Sequence, residues 1–160
     1  MATLFLTCGL PAAGKTTWAR ELQQEHRAVR FTVDEWLHEL YPTLTPEHAD
    51  EARDRVERVQ WRQALETLAA GVDVVLDWGL WTRRQRDRYR SQAKQAGARV
   101  VLCVLDPPMR VLLGRLSGRN ANLGPGRFPV SDDELTQWER RFDRPSADEA
   151  VLFDDVRRRA

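Results

Sequence analysis

The sequence predicts an α/β fold, a parallel sheet with helices on both faces, and three observations carry that reading. Apolar strand-like runs alternate with helix-period stretches along the whole chain. Two of those runs end on an aspartate, Asp34 and Asp77. A glycine-bounded segment, Gly9-Leu10-Pro11-Ala12-Ala13-Gly14-Lys15-Thr16, stands between the first run and the first helical stretch. At 160 residues, the chain is expected to form one domain with a core of its own.

Each element has a local reason. Residues 3–8 form an apolar run that reads as a buried strand, and 17–24 read as the following helix. Residues 28–33 alternate apolar and polar, so a second strand is expected to end at Asp34. A short helix over 35–40 is stopped by Pro42, and Thr45-Pro46 opens a long helix over about 46–70. Residues 72–77 form the third strand. Thr82 and Gln85 then make a capping box for a helix that runs to about residue 96 and stops at Gly97. Residues 99–105 are the fourth strand, followed by a helix that places Arg115 and Arg119 beside the stripe of Leu112 and Leu116. Residues 120–129 read as a loop rich in glycine and proline, Ser131 and Glu134 as a second capping box, and 150–153 as a fifth strand before a basic end.

The composition narrows the partners. With 25 basic and 24 acidic residues, the net charge is +1, which gives no global case for nucleic acid or a membrane surface. Cys8 and Cys103 fall in apolar strand runs without metal-ligand spacing, as expected in a reducing cytoplasm. No apolar stretch is long enough to cross a bilayer, and the start of the chain has no signal-peptide pattern.

The glycine-bounded segment matches G-x-x-x-x-G-K-[ST], a phosphate-binding loop in its proper strand-to-helix context. Its two glycines let backbone N–H groups converge on phosphate oxygens, and the helix that opens at Lys15 adds its positive end. Gly9, Leu10, Pro11, Ala12, Ala13, Gly14, Lys15, Thr16 and Thr17 are therefore the nucleotide-binding candidates. Lys15 can reach the β- and γ-phosphates, and the Thr16 hydroxyl can ligate magnesium.

Two carboxylates compete for the chemistry. Asp34, at the carboxyl end of a strand, can accept a proton from a hydroxyl nucleophile or can simply cap the next helix. Asp77, at the end of an apolar strand, fits a metal-side acid or a turn residue. The spacing leaves their division of labour open. Arg115 and Arg119, with Arg127 in the loop beyond, fit a lid of about residues 115–130 that adds positive charge to a migrating phosphoryl group. Arg83 and Arg84 oppose a helix dipole, which calls for Asp87 or an anionic substrate group nearby. Trp36, Trp78 and Trp81 offer either an acceptor wall or core packing.

Gly9 to Glu21 resemble the start of the phage-type polynucleotide 5′-hydroxyl kinase domain. More broadly, the chain resembles the group of small P-loop kinases that includes chloramphenicol phosphotransferase and zeta-toxin-like sugar-nucleotide kinases. The matching features are the phosphate loop, Asp34 at the general-base position, Asp77-Trp78-Gly79 at the third strand, and Arg115 to Asn120 as lid. The resemblance implies sheet order 2-3-1-4-5, ATP as donor, magnesium, and a hydroxyl acceptor. It departs at one point: the polynucleotide kinase carries an arginine a few residues after the base aspartate, and Glu35-Trp36-Leu37-His38 has none. The expected activity is therefore transfer of the γ-phosphate of ATP to a small molecule such as an antibiotic, nucleoside or sugar nucleotide. Polynucleotide 5′-hydroxyl phosphorylation and a non-catalytic ATP-binding regulatory module are the alternatives.

Overall fold

In the computed structural model, which describes residues 1–123 and 128–160, five parallel strands form one sheet in the order β2-β3-β1-β4-β5. The strands are β1 (Thr3–Cys8), β2 (Val29–Phe31), β3 (Val74–Leu76), β4 (Arg99–Leu105) and β5 (Asp155–Arg159). The helices are α1 (Lys15–His26), α2 (Val33–Leu40), α3 (Ala49–Ala69), α4 (Arg83–Gln95), α5 (Met109–Ala121), α6 (Asp132–Arg141) and α7 (Ala147–Ala150), with a 3₁₀ turn at Pro46–His48 before α3. The central strands β1, β3 and β4 are buried almost throughout, the continuous apolar pattern of a parallel sheet covered on both sides. Both capping boxes form, Thr82 with Gln85 and Ser131 with Glu134. Among the described residues, no helix is long and apolar enough to cross a membrane.

Two elements differ from the sequence expectation. β2 ends at Phe31 rather than running to Asp34, because Thr32 takes an extended cap conformation and Val33 starts α2. Asp34 and Glu35 therefore lie in the first turn of a helix, where carboxylates suit the dipole. The second difference is at the far edge: residues 147–150 are helical, and the fifth strand is the basic stretch Asp155–Arg159. The side chain of Asp154 accepts a hydrogen bond from the Val100 amide (2.7 Å), which sets the register Val101 to Asp155 through Leu105 to Arg159. Arg157 and Arg159 lay their guanidinium groups over Phe5 and Trp18, 5.5 and 4.3 Å from the ring centroids. Arginine stems thus do the covering that apolar side chains do elsewhere, on an edge strand where charge also discourages pairing with another chain.

A buried ion pair fastens the end of the fold to the loop region. Arg86 of α4 is 0 % exposed and donates to both carboxylate oxygens of Glu149 in α7, at 2.6 and 2.8 Å. Its remaining nitrogen donates to the Leu80 carbonyl at 3.0 Å, supporting a residue at φ 39°, a conformation that leucine rarely adopts. Glu149→Ala leaves that buried guanidinium without its counter-charge, so urea unfolding should show a loss of about 3–5 kcal/mol. A loss below about 1 kcal/mol, the scale of an exposed pair, would contradict this account of the contact.

Candidate active site

The site is built on the carboxyl ends of β1 and β3. Gly9 leaves β1 so close to β4 that an added Cβ would stand 2.6 Å from the Leu105 carbonyl oxygen, and Gly14 turns into α1 at φ 100°. The loop entrance is held by the β3–α4 connection: the Gly9 amide donates to the Gly79 carbonyl, and the Trp81 indole N–H donates to the Gly9 carbonyl, both at 3.1 Å. At the loop's far end, Lys15 Nζ donates to the Leu10 carbonyl at 2.7 Å. Enclosure of that ammonium lowers its pKa to about 8, with the Asp77 and Asp34 carboxylates pulling the other way. Both acids therefore act electrostatically on the loop lysine.

Asp77 lies just past β3. Its amide donates to the Phe31 carbonyl (2.9 Å), and the Thr16 hydroxyl lies against its carboxylate. Burial pushes the Asp77 carboxyl above the ordinary aspartate range, opposed by Thr16, Arg30 and Lys15. Asp34 is more open, and its Oδ1 accepts from Arg53 Nη2 of α3 at 2.9 Å. The donor set fits magnesium. Among the described residues, no group of three or more His, Cys, Asp or Glu side chains could hold a metal by itself, and Thr16 with Asp77 offers two hard oxygen ligands. Magnesium commonly takes one or two protein oxygens and fills its shell with phosphate and water.

The other sequence candidates fall into separate places. Arg115 Nη1 donates to the carbonyl of Ala13 within the loop (3.3 Å). Arg119 donates to the Phe128 carbonyl (3.4 Å), and its charge reaches Lys15. Arg127 lies outside the described residues. Thr17 is exposed on α1. Trp36 is half-buried and meets Phe31 edge-on. Trp78 is core, 4 % exposed, with its indole N–H on Gln60 Oε1, while the ring of Trp81 packs against Trp138 of α6. Arg83 pairs with Asp148 at 2.7 Å and with Asp87, and Arg84 is exposed.

Three residues of the site region escaped the sequence reading. Arg30 of β2 donates to Asp77 Oδ2 at 3.0 Å, Gln60 of α3 spans the Trp78 indole and the Thr32 carbonyl, and Arg53 reaches Asp34. Gln60 carried a weak signal, because its helical phase with Val56 and Ala64 places it on the buried face of α3.

Residues 4–145 match the AAA domain family. The chain belongs to that family. This AAA domain has the fold of small P-loop kinases, as its solved neighbours show. Kti12 of Chaetomium thermophilum, solved with ADP-AlF3, superposes with a TM-score of 0.72 at 17 % identity, over 98 % of this chain and 88 % of that one. A chain of the Pnkp1/Rnl/Hen1 RNA repair complex gives 0.73 at 18 % identity, over 96 % of this chain and 46 % of that one. A sugar kinase from Janibacter sp. HTCC2649 gives 0.68 at 20 % identity, over 99 % of this chain and 86 % of that one. No curated protein matches this chain by sequence.

Proposed function

We propose that this AAA domain is an ATP-dependent phosphotransferase that moves the γ-phosphate of ATP to a hydroxyl group of a small molecule. The observation that supports the reading is that two carboxylates from different elements, Asp34 in the first turn of α2 and Asp77 just past β3, both act electrostatically on the phosphate-loop lysine. A loop that only bound nucleotide would need one metal-side acid; a second, more open carboxylate is what a proton acceptor requires.

The roles follow from placement. The loop amides and the start of α1 cradle the phosphates, and Lys15 exchanges its bond to the Leu10 carbonyl for phosphate oxygens. Thr16 and Asp77 would hold magnesium, which would supply positive charge to neutralise the phosphate oxygens. Asp34 orients the acceptor hydroxyl and takes its proton as that oxygen bonds to the γ-phosphorus and ADP leaves with the bridging oxygen. Arg115 and Arg119 add positive charge on the side of α5. Cytoplasmic reducing conditions suit the two free thiols, which burial pushes up to about 11 for Cys8 and about 12 for Cys103.

The lysine supplies a pH test. Its ordinary pKa of 10.5 falls to about 8 in the folded chain. From pH 8 to 10.5, the unfolded chain keeps a proton that the folded chain has released, so this group adds stability as pH rises through that window. Bound phosphate favours the ammonium again. Calorimetry of ADP binding in buffers of different ionisation enthalpy should show proton uptake at about pH 8.5 and far less at about pH 6.5. Equal uptake at both would mean that Lys15 does not meet the phosphates.

One observation favours polynucleotide 5′-hydroxyl phosphorylation as the second reading. The arginine lacking after Asp34 in sequence has a counterpart in space, Arg53, which is 44 % exposed and able to hold an acceptor phosphate. γ-Labelled ATP incubated with 5′-hydroxyl oligonucleotides and, separately, with a panel of hydroxylated metabolites and antibiotics decides. Label in a small molecule supports the first reading and label on oligonucleotide ends the second. Tight ATP binding with no transfer to any acceptor leaves a regulatory module.

A further inference from the structure

Arg30 contacts three elements at once. Its Nε donates to Gln23 Oε1 of α1 at 3.3 Å, its Nη1 to Asp77 Oδ2 at the end of β3 at 3.0 Å, and its Nη2 to Glu35 Oε1 of α2 at 2.6 Å. The side chain is 9 % exposed and that of Asp77 2 %, whereas Glu35 is 49 % exposed. A planar guanidinium can aim separate donors in three directions, which a lysine ammonium on a flexible stem does not do with fixed geometry. Burying the charges of Arg30 and Asp77 carries a desolvation cost that an apolar pair would avoid, so stability alone is a poor reason for the contact. Its geometric effect is specific: it ties the metal-side acid to the residue next to Asp34.

The first turn of α2 needs such a tie. β2 has only three residues and lies at the sheet edge, and α2 has eight, too few to hold a helix without tertiary contacts. Its fully buried side chains are Val33 and Leu37 alone. Arg30 pulls on Glu35 from the sheet side, and Arg53 reaches Asp34 from α3.

We propose that Arg30 is a positioning residue for phosphoryl transfer, fastening the first turn of α2, and with it the Asp34 carboxylate, to the Asp77 end of β3. This rests on the reading of Asp34 as proton acceptor. Glu35→Gln weakens the α2 arm of the tie, together with the longer 3.9 Å contact of Glu35 with Arg20 of α1, at an exposed position that the fold tolerates; Arg30→Lys keeps the charge and loses the fork.

Hydrogen exchange read by mass spectrometry tests the tie without any acceptor. In Glu35→Gln and in Arg30→Lys, amides of 33–40 should exchange about 10-fold faster while those of β1 and α1 stay at wild-type rates. Affinity for a fluorescent ADP analogue with magnesium should stay within about twofold in Glu35→Gln, and the single-turnover transfer rate should fall about 10-fold. Wild-type exchange in α2 of Glu35→Gln would overturn the proposal. So would faster exchange spread over the whole chain, or a loss of nucleotide affinity equal to the loss of rate, since either marks a general structural role. If the wild-type protein transfers phosphate to nothing, the phosphotransferase reading and the positioning role fall together, while exchange in 33–40 still decides whether Arg30 fastens α2.

Discussion

Lys15→Ala is expected to abolish tight nucleotide binding, lowering ATP affinity by about 100-fold or more, on the scale of losing a buried charge-assisted contact. The lysine is the sole basic side chain within the loop, and its ammonium already sits on the loop's own carbonyl at Leu10. With alanine there, the amides and the helix start remain, so weak phosphate binding is expected to persist, but the charge proposed to span the β- and γ-phosphates is gone. Equilibrium titration with a fluorescent ATP analogue at about pH 7, where the ammonium is held, measures the difference. Retention of wild-type affinity would refute the phosphate-loop assignment.

Asp34→Asn and Asp77→Asn are expected to separate the two carboxylates. Asp34 is 34 % exposed and paired with Arg53, so under the proposed role its amide variant should keep magnesium-dependent ATP affinity and lower transfer by about 10²–10⁴-fold, the range of general-base loss. Asp77 is buried against Thr16 and Arg30, so its variant should raise the magnesium requirement and weaken ATP binding together with transfer. Magnesium titrations of ATP binding and single-turnover transfer on both variants provide the readouts. Loss of metal dependence in the Asp34 variant with a metal-normal Asp77 variant would reverse the assignment. Equal mixed effects would mean that the pair acts as one unit.

The parts legible in the sequence are those coded by neighbours along the chain. Gly9 to Thr16 read as a phosphate loop because each position has a local backbone reason, and the capping boxes at Thr82 and Ser131 repeat a reciprocal hydrogen-bond pattern over three residues. The sheet order came from the resemblance and is the order found. The parts not legible depend on reach across the fold. Arg30 looked like the polar member of an alternating strand, yet it lies beneath α1 and serves Asp77, 47 residues away. Thr32 and Val33 continue the alternation and so extend the expected strand to Asp34; the helix start wins because two acids in succession suit a first turn better than an edge strand. β5 escaped because arginine stems over Phe5 and Trp18 replace the expected apolar periodicity.

The central claim, that one site built on Lys15, Asp34 and Asp77 moves the γ-phosphate of ATP to a small-molecule hydroxyl, is tested most directly by a single-turnover experiment. Excess wild-type protein is mixed with γ-labelled ATP, magnesium and a pool of hydroxylated small molecules, and the label is followed by chromatography. The account predicts label in an acid-stable phosphate ester of a small molecule, absent with Lys15→Ala and strongly slowed with Asp34→Asn. Label that stays in ATP, or that appears only as inorganic phosphate or on oligonucleotide ends, would contradict it.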